Sequence, residues 1–112
     1  MEAKTLKTMA SLQDDVARHG PWEFRIIPYR IRNIIVVKVV RHWAMICKPE
    51  KREYATQCVI HDTREKCGFV WSLVIGVAIR AFITWILKKY ETDPVYWSAV
   101  KHVRKMQGGR FG

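Results

Sequence analysis

The sequence predicts an all-α fold with one transmembrane helix, flanked by short amphipathic surface helices and extended arms. The 21-residue run from Cys67 to Leu87 contains only three polar side chains, and roughly 20 apolar residues are enough to cross a hydrocarbon core of about 30 Å. Lysines border this run on both sides. Trp71 and Trp85 lie near its two ends, where amphipathic rings prefer the membrane interface.

The first part of the chain, residues 1–32, is predicted to hold a short helix and an extended arm. A glycine-proline stop signal ends a helix that we expect over residues 12–19. Residues 22–32 have the sequence WEFRIIPYRIR, and Pro28 forbids a continuous helix there. We therefore expect this stretch to be an extended arm that lies on a surface.

The second part, residues 33–62, is predicted to be an amphipathic basic segment followed by a further helix that begins at Pro49. Residues 33–47 have the sequence NIIVVKVVRHWAMIC, whose β-branched side chains favour a strand and whose length favours a helix. On a helical wheel, Lys38 and Arg41 fall opposite the valines, as in a basic helix that contacts lipid head groups or a partner.

The transmembrane helix is predicted over residues 63–90, with an apolar core at 67–87. A small-residue stripe recurs every four positions in it and consists of Gly68, Ser72, Gly76, Arg80 and Thr84. Residues four apart share one helix face, and small residues let membrane helices approach closely. We therefore expect the stripe to pack against a partner helix. Bulky side chains are expected to face lipid on the remaining surface, namely Phe69, Leu73, Ile75, Phe82, Ile83 and Ile86.

Arg80, the one charged residue of the stripe, indicates that this helix face has a partner. An arginine in the middle of a membrane span costs about 2.5 to 3.5 kcal/mol and usually faces a partner, so we expect a carboxylate, a backbone carbonyl or a lipid phosphate beside it. The alternative is a core helix of a soluble bundle, with Arg80 on the solvated side. A soluble amphipathic helix has a wide polar face, which this run lacks.

The last part, residues 91–112, is predicted to form an amphipathic helix over 94–106 and a tail. A threonine-aspartate-proline sequence supplies its N-cap and first turn, and two glycines supply its end. Lys88 and Lys89, just before this part, are expected to contact lipid head groups or a partner.

The length and the net charge of the chain limit the functions that it can have. A chain of 112 residues holds at most one domain, and with a quarter of it in lipid it builds little independent core, so we expect no enzyme. The net charge is +10, which suits acidic partner surfaces, nucleic acid or anionic lipid such as cardiolipin. The expected partners are other membrane subunits and anionic lipid, without nucleic acid or a small-molecule substrate.

The sequence contains possible ligands for zinc and a possible RNA-binding pattern, and neither is favoured as a prediction. Cys47, Cys58, His61 and Cys67 could supply a Cys3His zinc site, but their spacing matches no pair of tight knuckles, and we expect ordinary thiols and no metal or cofactor. Basic and aromatic residues alternate over 22–32, which is typical of RNA-binding extensions. That pattern leaves the apolar run unexplained.

The layout of a basic N-terminal part, one membrane helix with a tryptophan-rich border and an amphipathic basic tail resembles the accessory subunits of mitochondrial respiratory complexes. The stretch Ile86 to Val100, ILKKYETDPVYWSAV, is similar to the way in which single-pass accessory subunits of NADH:ubiquinone oxidoreductase (complex I) leave the membrane. This resemblance implies a non-catalytic structural or assembly subunit of the mitochondrial inner membrane, without a cofactor. The alternative function is that of a basic RNA-binding protein, such as a ribosomal accessory protein.

Overall fold

The computed structural model describes residues 9–92, which form a bundle of α-helices without a strand. In chain order the helices of this part are α1 Met9–His19, α2 Trp22–Arg25, α3 Tyr29–Arg41, α4 Trp43–Ile46, α5 Pro49–Arg64 and α6 Phe69–Thr92. The predicted all-α fold class is therefore confirmed for these residues. The helix predicted over 94–106 lies outside the described residues.

Prolines mark the starts of three helices. Pro21 and Pro28 are the N-caps of α2 and α3, and Pro49 is the first residue of α5. A proline fits at these positions because its missing N–H would have no partner in the first turn of a helix. The extended arm predicted for residues 22–32 is wrong, because Pro28 begins a helix there.

Gly20 ends α1 in a place where only glycine fits. Its N–H donates to the carbonyl oxygen of Val16 at 2.8 Å. A Cβ atom at Gly20 would lie 2.6 Å from that oxygen and 2.6 Å from Cγ1 of Val16, closer than non-bonded atoms approach. The short helix predicted over 12–19 is thus confirmed, and it extends back to Met9.

Residues 33–47, for which strand and helix were both open, are helical. They make up most of α3, a turn at His42, and α4. Five aliphatic side chains of α3 are buried, namely Ile31, Ile35, Val36, Val39 and Val40. Burial of this face outweighs the β propensity of the individual residues, which is a weak and context-dependent preference.

The boundary between α5 and α6 lies later than predicted. Residues 65–68 form the connection, and α6 begins at Phe69 rather than near residue 63. Asp62, just before the predicted start, lies inside α5, where its carboxylate is 3.6 Å from Nζ of Lys38. The helix therefore begins only after the charged residues, where the apolar run starts.

The core joins all six helices. The ring of Phe24 in α2 stacks on the ring of Phe82 in α6, with centroids 4.4 Å apart and planes inclined by 11°. Trp43 of α4 is buried as well. From α6 the core receives Ile75, Ala78, Ile79, Phe82, Ile83 and Ile86. Four of the six bulky residues predicted to face lipid (Ile75, Phe82, Ile83 and Ile86) are therefore buried within the chain itself.

Among the described residues, one helix is long and apolar enough to cross a membrane. It is α6, over Phe69–Lys89, with a mean hydropathy of 2.0. Length and composition alone are the basis of this finding, and a core helix of a soluble protein meets the same criteria. About a third of its most apolar window is buried inside the bundle (33%), and further side chains of the helix are partly buried against the core, among them Trp71 and Trp85.

Candidate functional site

Helix α6 has an apolar surface on its outer side as well as on its inner side. Four large side chains, the outer apolar patch, lie next to one another on its first three turns and are 60 to 79% exposed: Phe69, Val70, Leu73 and Val77. Their spacing places them on one helix face. A contiguous exposed apolar patch on a small protein marks an interaction surface for protein or membrane.

The outer face of α6 changes character halfway along its length. Beyond Val77, among the side chains of α6 whose exposure the structure describes, the exposed ones are Arg80, Thr84, Lys88 and Glu91, all of them polar. The apolar half therefore lies next to the α5–α6 connection, and the polar half lies towards the C-terminal end of the helix. An interface that buries the first half leaves the second half in contact with water or with polar groups.

Arg80 has a carboxylate partner within the chain. Its Nη1 and Nη2 each donate to one carboxylate oxygen of Glu53 in α5, both at 2.9 Å. The two side chains are 48% and 66% exposed. The hydrogen bonds from Arg80, followed by one from Gln57, lower the pKa of the Glu53 carboxyl from 4.5 to about 2.

The small-residue stripe faces α5 over much of its length. Nε of Arg64 donates to the carbonyl oxygen of Ser72 at 3.2 Å, and Nη2 of Arg64 lies 3.4 Å from where a Cβ of Gly76 would be. Thr84 is exposed, and Gly68 has open space around its Cα. Three stripe residues, Ser72, Gly76 and Arg80, thus meet side chains of α5, and packing of the stripe against a helix of another protein stays a prediction.

Among the four basic residues predicted to contact lipid or a partner, Lys38 and Lys89 make contacts within the chain. Lys38 is 16% exposed in its ion pair with Asp62, and Nζ of Lys89 lies 5.4 Å from the ring centroid of Trp85. Arg41 and Lys88 are exposed. The basic face predicted for residues 33–47 is therefore narrower than the helical wheel indicated.

A surface pocket of about 400 Å³ lies between α5 and α6, beside the Arg80–Glu53 pair. It is lined by Arg52, Glu53, Thr56, Arg80, Ile83, Thr84 and Leu87. Arg52 is held in place because its Nε donates to the carbonyl oxygen of Ile46 at 2.7 Å. Both acidic and basic groups line the pocket, so its walls show no single charge preference.

The residues considered for zinc do not come together. Cys47, Cys58 and Cys67 form no disulfide among residues 9–92, and none belongs to the one metal-competent group found in this part of the chain. That group consists of His61, Asp62 and Glu65, with ligand atoms within 4.8 Å of one another. Asp62 already pairs with Lys38, and the group lies on the surface. The Cys3His set is not formed in this arrangement.

Residues 22–32 place a second set of aromatic and basic side chains on the surface. Trp22 and Tyr29 are 59% and 56% exposed, and Arg25 and Arg30 are also exposed. Phe24 points the other way and lies in the core. Burial of this one ring turns its neighbours outward, which the sequence pattern alone did not indicate.

Compared with protein-family models, with curated proteins and with solved structures, the chain gives no significant match. The physical chemistry of its own residues is therefore what supports a proposal for its function. Sequence reasoning missed Glu53 as the partner of Arg80, because the two residues are 27 positions apart and no periodic signal connects them. It also missed the outward position of Val70 and Val77.

Proposed function

We propose that the chain is a non-catalytic structural protein of a membrane assembly, and that the outer apolar patch of α6 is the part that contacts the bilayer. The observation that carries this proposal is the exposure of Phe69, Val70, Leu73 and Val77 on the most apolar helix of the described residues. Complete burial of a side chain of this size is worth about 1.5 to 3 kcal/mol. Together the four represent on the order of 5 kcal/mol that remains available for binding.

The packing of α6 favours contact through one side of the helix. Helix α5 lies along it in antiparallel direction, because Glu53 near the start of α5 meets Arg80 and Arg64 at its end meets Ser72. Exposed charges on α5, such as Lys51, cannot enter hydrocarbon at low cost. With α5 in place, the bilayer is in contact with the outer patch, and the charged helix stays in water.

A place in the mitochondrial inner membrane, a full crossing of the bilayer by α6 and membership of complex I stay predictions of the sequence. A full crossing requires α5 and α2 to separate from α6, since both helices cover its inner face. Contact through the outer patch requires no such change. The second form of association is therefore the one that this arrangement of helices supports better.

Flotation of the purified full-length chain with phosphatidylcholine vesicles tests this proposal. The double variant Leu73→Glu/Val77→Glu places two carboxylates in the outer patch, at positions that are exposed in the fold, and should lower vesicle binding by at least about 100-fold. The matched control is Tyr54→Glu, which changes a side chain of α5 that is 66% exposed. The control should float like the wild type.

Circular dichroism and thermal unfolding of all three proteins establish that the fold is retained. Equal flotation of the double variant and the wild type would overturn the role of the outer patch. Failure of the wild-type chain to float with any vesicle would overturn the proposed membrane contact altogether. For membership of an assembly, co-purification from detergent with identification of the partners by mass spectrometry is the direct measurement.

A further inference from the structure

We infer that Trp22, Arg25, Ile26, Tyr29 and Arg30 form a second membrane contact, which binds the head groups of anionic phospholipids. This set is called the aromatic-basic surface. The inference rests on the proposed membrane association, and it adds the chemical class of lipid that the chain selects. It involves residues of α2, of the turn after it and of the start of α3, and none of the outer apolar patch of α6.

The aromatic-basic surface is oriented by the buried side chains of its segment. Phe24 is fully buried against Phe82, and Ile27 is buried as well, which fixes the inward side of α2 and of the turn that follows it. The large apolar side chains around them are exposed, with values of 59% for Trp22, 43% for Ile26 and 56% for Tyr29. Trp22 lies in α2, Ile26 in the turn and Tyr29 at the start of α3. The result is a short exposed apolar stripe along the junction of the two helices.

Basic groups flank this stripe. Arg25 and Arg30 are exposed, and neither forms an ion pair with a carboxylate among residues 9–92. Over residues 22–41 the chain has five basic residues and one acidic residue, whereas α5 has three of each. Residues 22–32, which carry the exposed aromatic rings, contain three arginines and one glutamate, and this net positive charge complements an anionic surface.

The mixture of side chains favours phospholipid over nucleic acid as the ligand. Tryptophan and tyrosine rings partition to the head-group region, and an aliphatic side chain such as Ile26 gains from the adjoining acyl chains. A base-stacking site needs adjacent exposed aromatic rings, but Phe24, the ring between Trp22 and Tyr29, is in the core. Arg25 and Arg30 would then contact lipid phosphates, each contributing to the attraction of an anionic leaflet.

Vesicle flotation with two lipid compositions tests the inference on the full-length chain. The wild type should bind vesicles of phosphatidylcholine with phosphatidylglycerol more tightly than vesicles of phosphatidylcholine alone, and this gain should fall at high salt. The variant Arg25→Gln/Arg30→Gln should lose roughly 30-fold in binding to the anionic vesicles. Its binding to pure phosphatidylcholine should not change.

The control is Lys51→Gln/Lys66→Gln, which removes two charges from exposed positions of α5 and of the connection to α6. It should retain most of the anionic gain. Equal losses in the two double variants, or a wild type that does not prefer phosphatidylglycerol, would overturn the inference. If the arginine variant instead loses affinity for single-stranded RNA in a mobility-shift titration while keeping its lipid preference, the surface binds nucleic acid and the inference is likewise overturned.

The two proposals fail in different ways. The outer patch of α6 determines binding to neutral vesicles, whereas the aromatic-basic surface determines the ratio of binding between anionic and neutral vesicles. A chain that binds only anionic vesicles, with no effect of Leu73→Glu/Val77→Glu, would overturn the first proposal and support the second. A chain that binds both compositions equally would support the first proposal and overturn the second.

Discussion

Arg80 and Glu53 form a bidentate ion pair, with each guanidinium nitrogen 2.9 Å from one carboxylate oxygen. The pair joins the middle of α6 to the first turns of α5, and with the hydrogen bond from Arg64 to Ser72 it sets the two helices in register. The one charged residue within the apolar run is therefore neutralised inside the chain. No second protein is needed to explain its presence.

The pKa of the Glu53 carboxyl should depend on Arg80. It is lowered to about 2 by the hydrogen bonds from Arg80 and Gln57, so in the variant Arg80→Gln it should rise back towards 4.5. Titration of the side-chain carboxyl by NMR measures this directly. Arg41→Gln, at an exposed position of α3, should leave the titration unchanged, and an unshifted titration in Arg80→Gln would contradict the pairing.

The same pair gives a pH dependence of defined sign. A carboxyl whose pKa is lowered on folding contributes stability above its unfolded value, and this contribution is lost as the pH falls through its folded value. For Glu53 the window runs from about 4.5 down to about 2. The difference in urea midpoint between wild type and Arg80→Gln should therefore narrow as the pH is lowered through this range. A difference that grows on acidification would be inconsistent with it.

Two glycine-to-alanine substitutions should have opposite effects on stability. Gly20→Ala places a methyl group 2.6 Å from a backbone oxygen, which should destabilise the fold by about 1 to 3 kcal/mol. Gly76→Ala meets only the flexible end of Arg64 at 3.4 Å, and alanine favours a helix interior by about 0.5 to 1 kcal/mol. Urea unfolding measures both changes. Loss of stability in Gly76→Ala would show that this side of α6 is packed more tightly.

Substitution by alanine should cost far more stability at Phe24 than at Trp22, although the two residues are only two positions apart. Phe24 is fully buried and stacked on Phe82, so Phe24→Ala should cost about 3 to 5 kcal/mol of stability. Trp22 is mostly exposed, and Trp22→Ala should change stability by no more than about 0.5 kcal/mol. Thermal unfolding of the two variants makes the comparison. Similar losses in both would mean that α2 does not dock on α6 by its phenylalanine.

Cross-linking of α5 to α6 should leave vesicle binding intact. In a background with Cys47, Cys58 and Cys67 replaced by serine, Glu53→Cys/Arg80→Cys supplies two thiols for a bifunctional maleimide. Contact through the outer patch keeps these helices together, so the cross-linked and uncross-linked forms should float equally with vesicles. If the cross-link abolishes flotation, α6 enters the bilayer only after it leaves α5.

The helical class and the apolar run were predictable because they depend on composition along short stretches. The packing of α6 was not. A sequence pattern gives the faces of a helix but not what covers them, so Ile75 and Phe82 were assigned to lipid although α2 and α5 bury them. The contact with Phe24 joins residues 58 positions apart in the chain, and no local periodicity reports such a distance.

Residues 22–47 show the same limit at shorter range. Pro28 predicts an extended arm if it interrupts a helix, yet a proline fits the start of a helix equally well, and it is the N-cap of α3. The valines of α3 favour a strand in isolation, and their burial in the bundle decides for a helix. In both places tertiary packing, which the sequence does not display, selects between two locally acceptable conformations.

The ring stack between Phe24 and Phe82 packs α2 against α6, the most apolar helix of the described residues. With α2 and α5 packed on its inner face, α6 exposes large apolar side chains only in the outer apolar patch among the described residues. If α2 and α5 separated from α6, the phenylalanine and isoleucine side chains of its inner face would be exposed as well. A helix that is apolar around nearly its whole circumference would insert into lipid or aggregate. The contact between Phe24 and Phe82 thus helps to keep the apolar inner face of α6 covered.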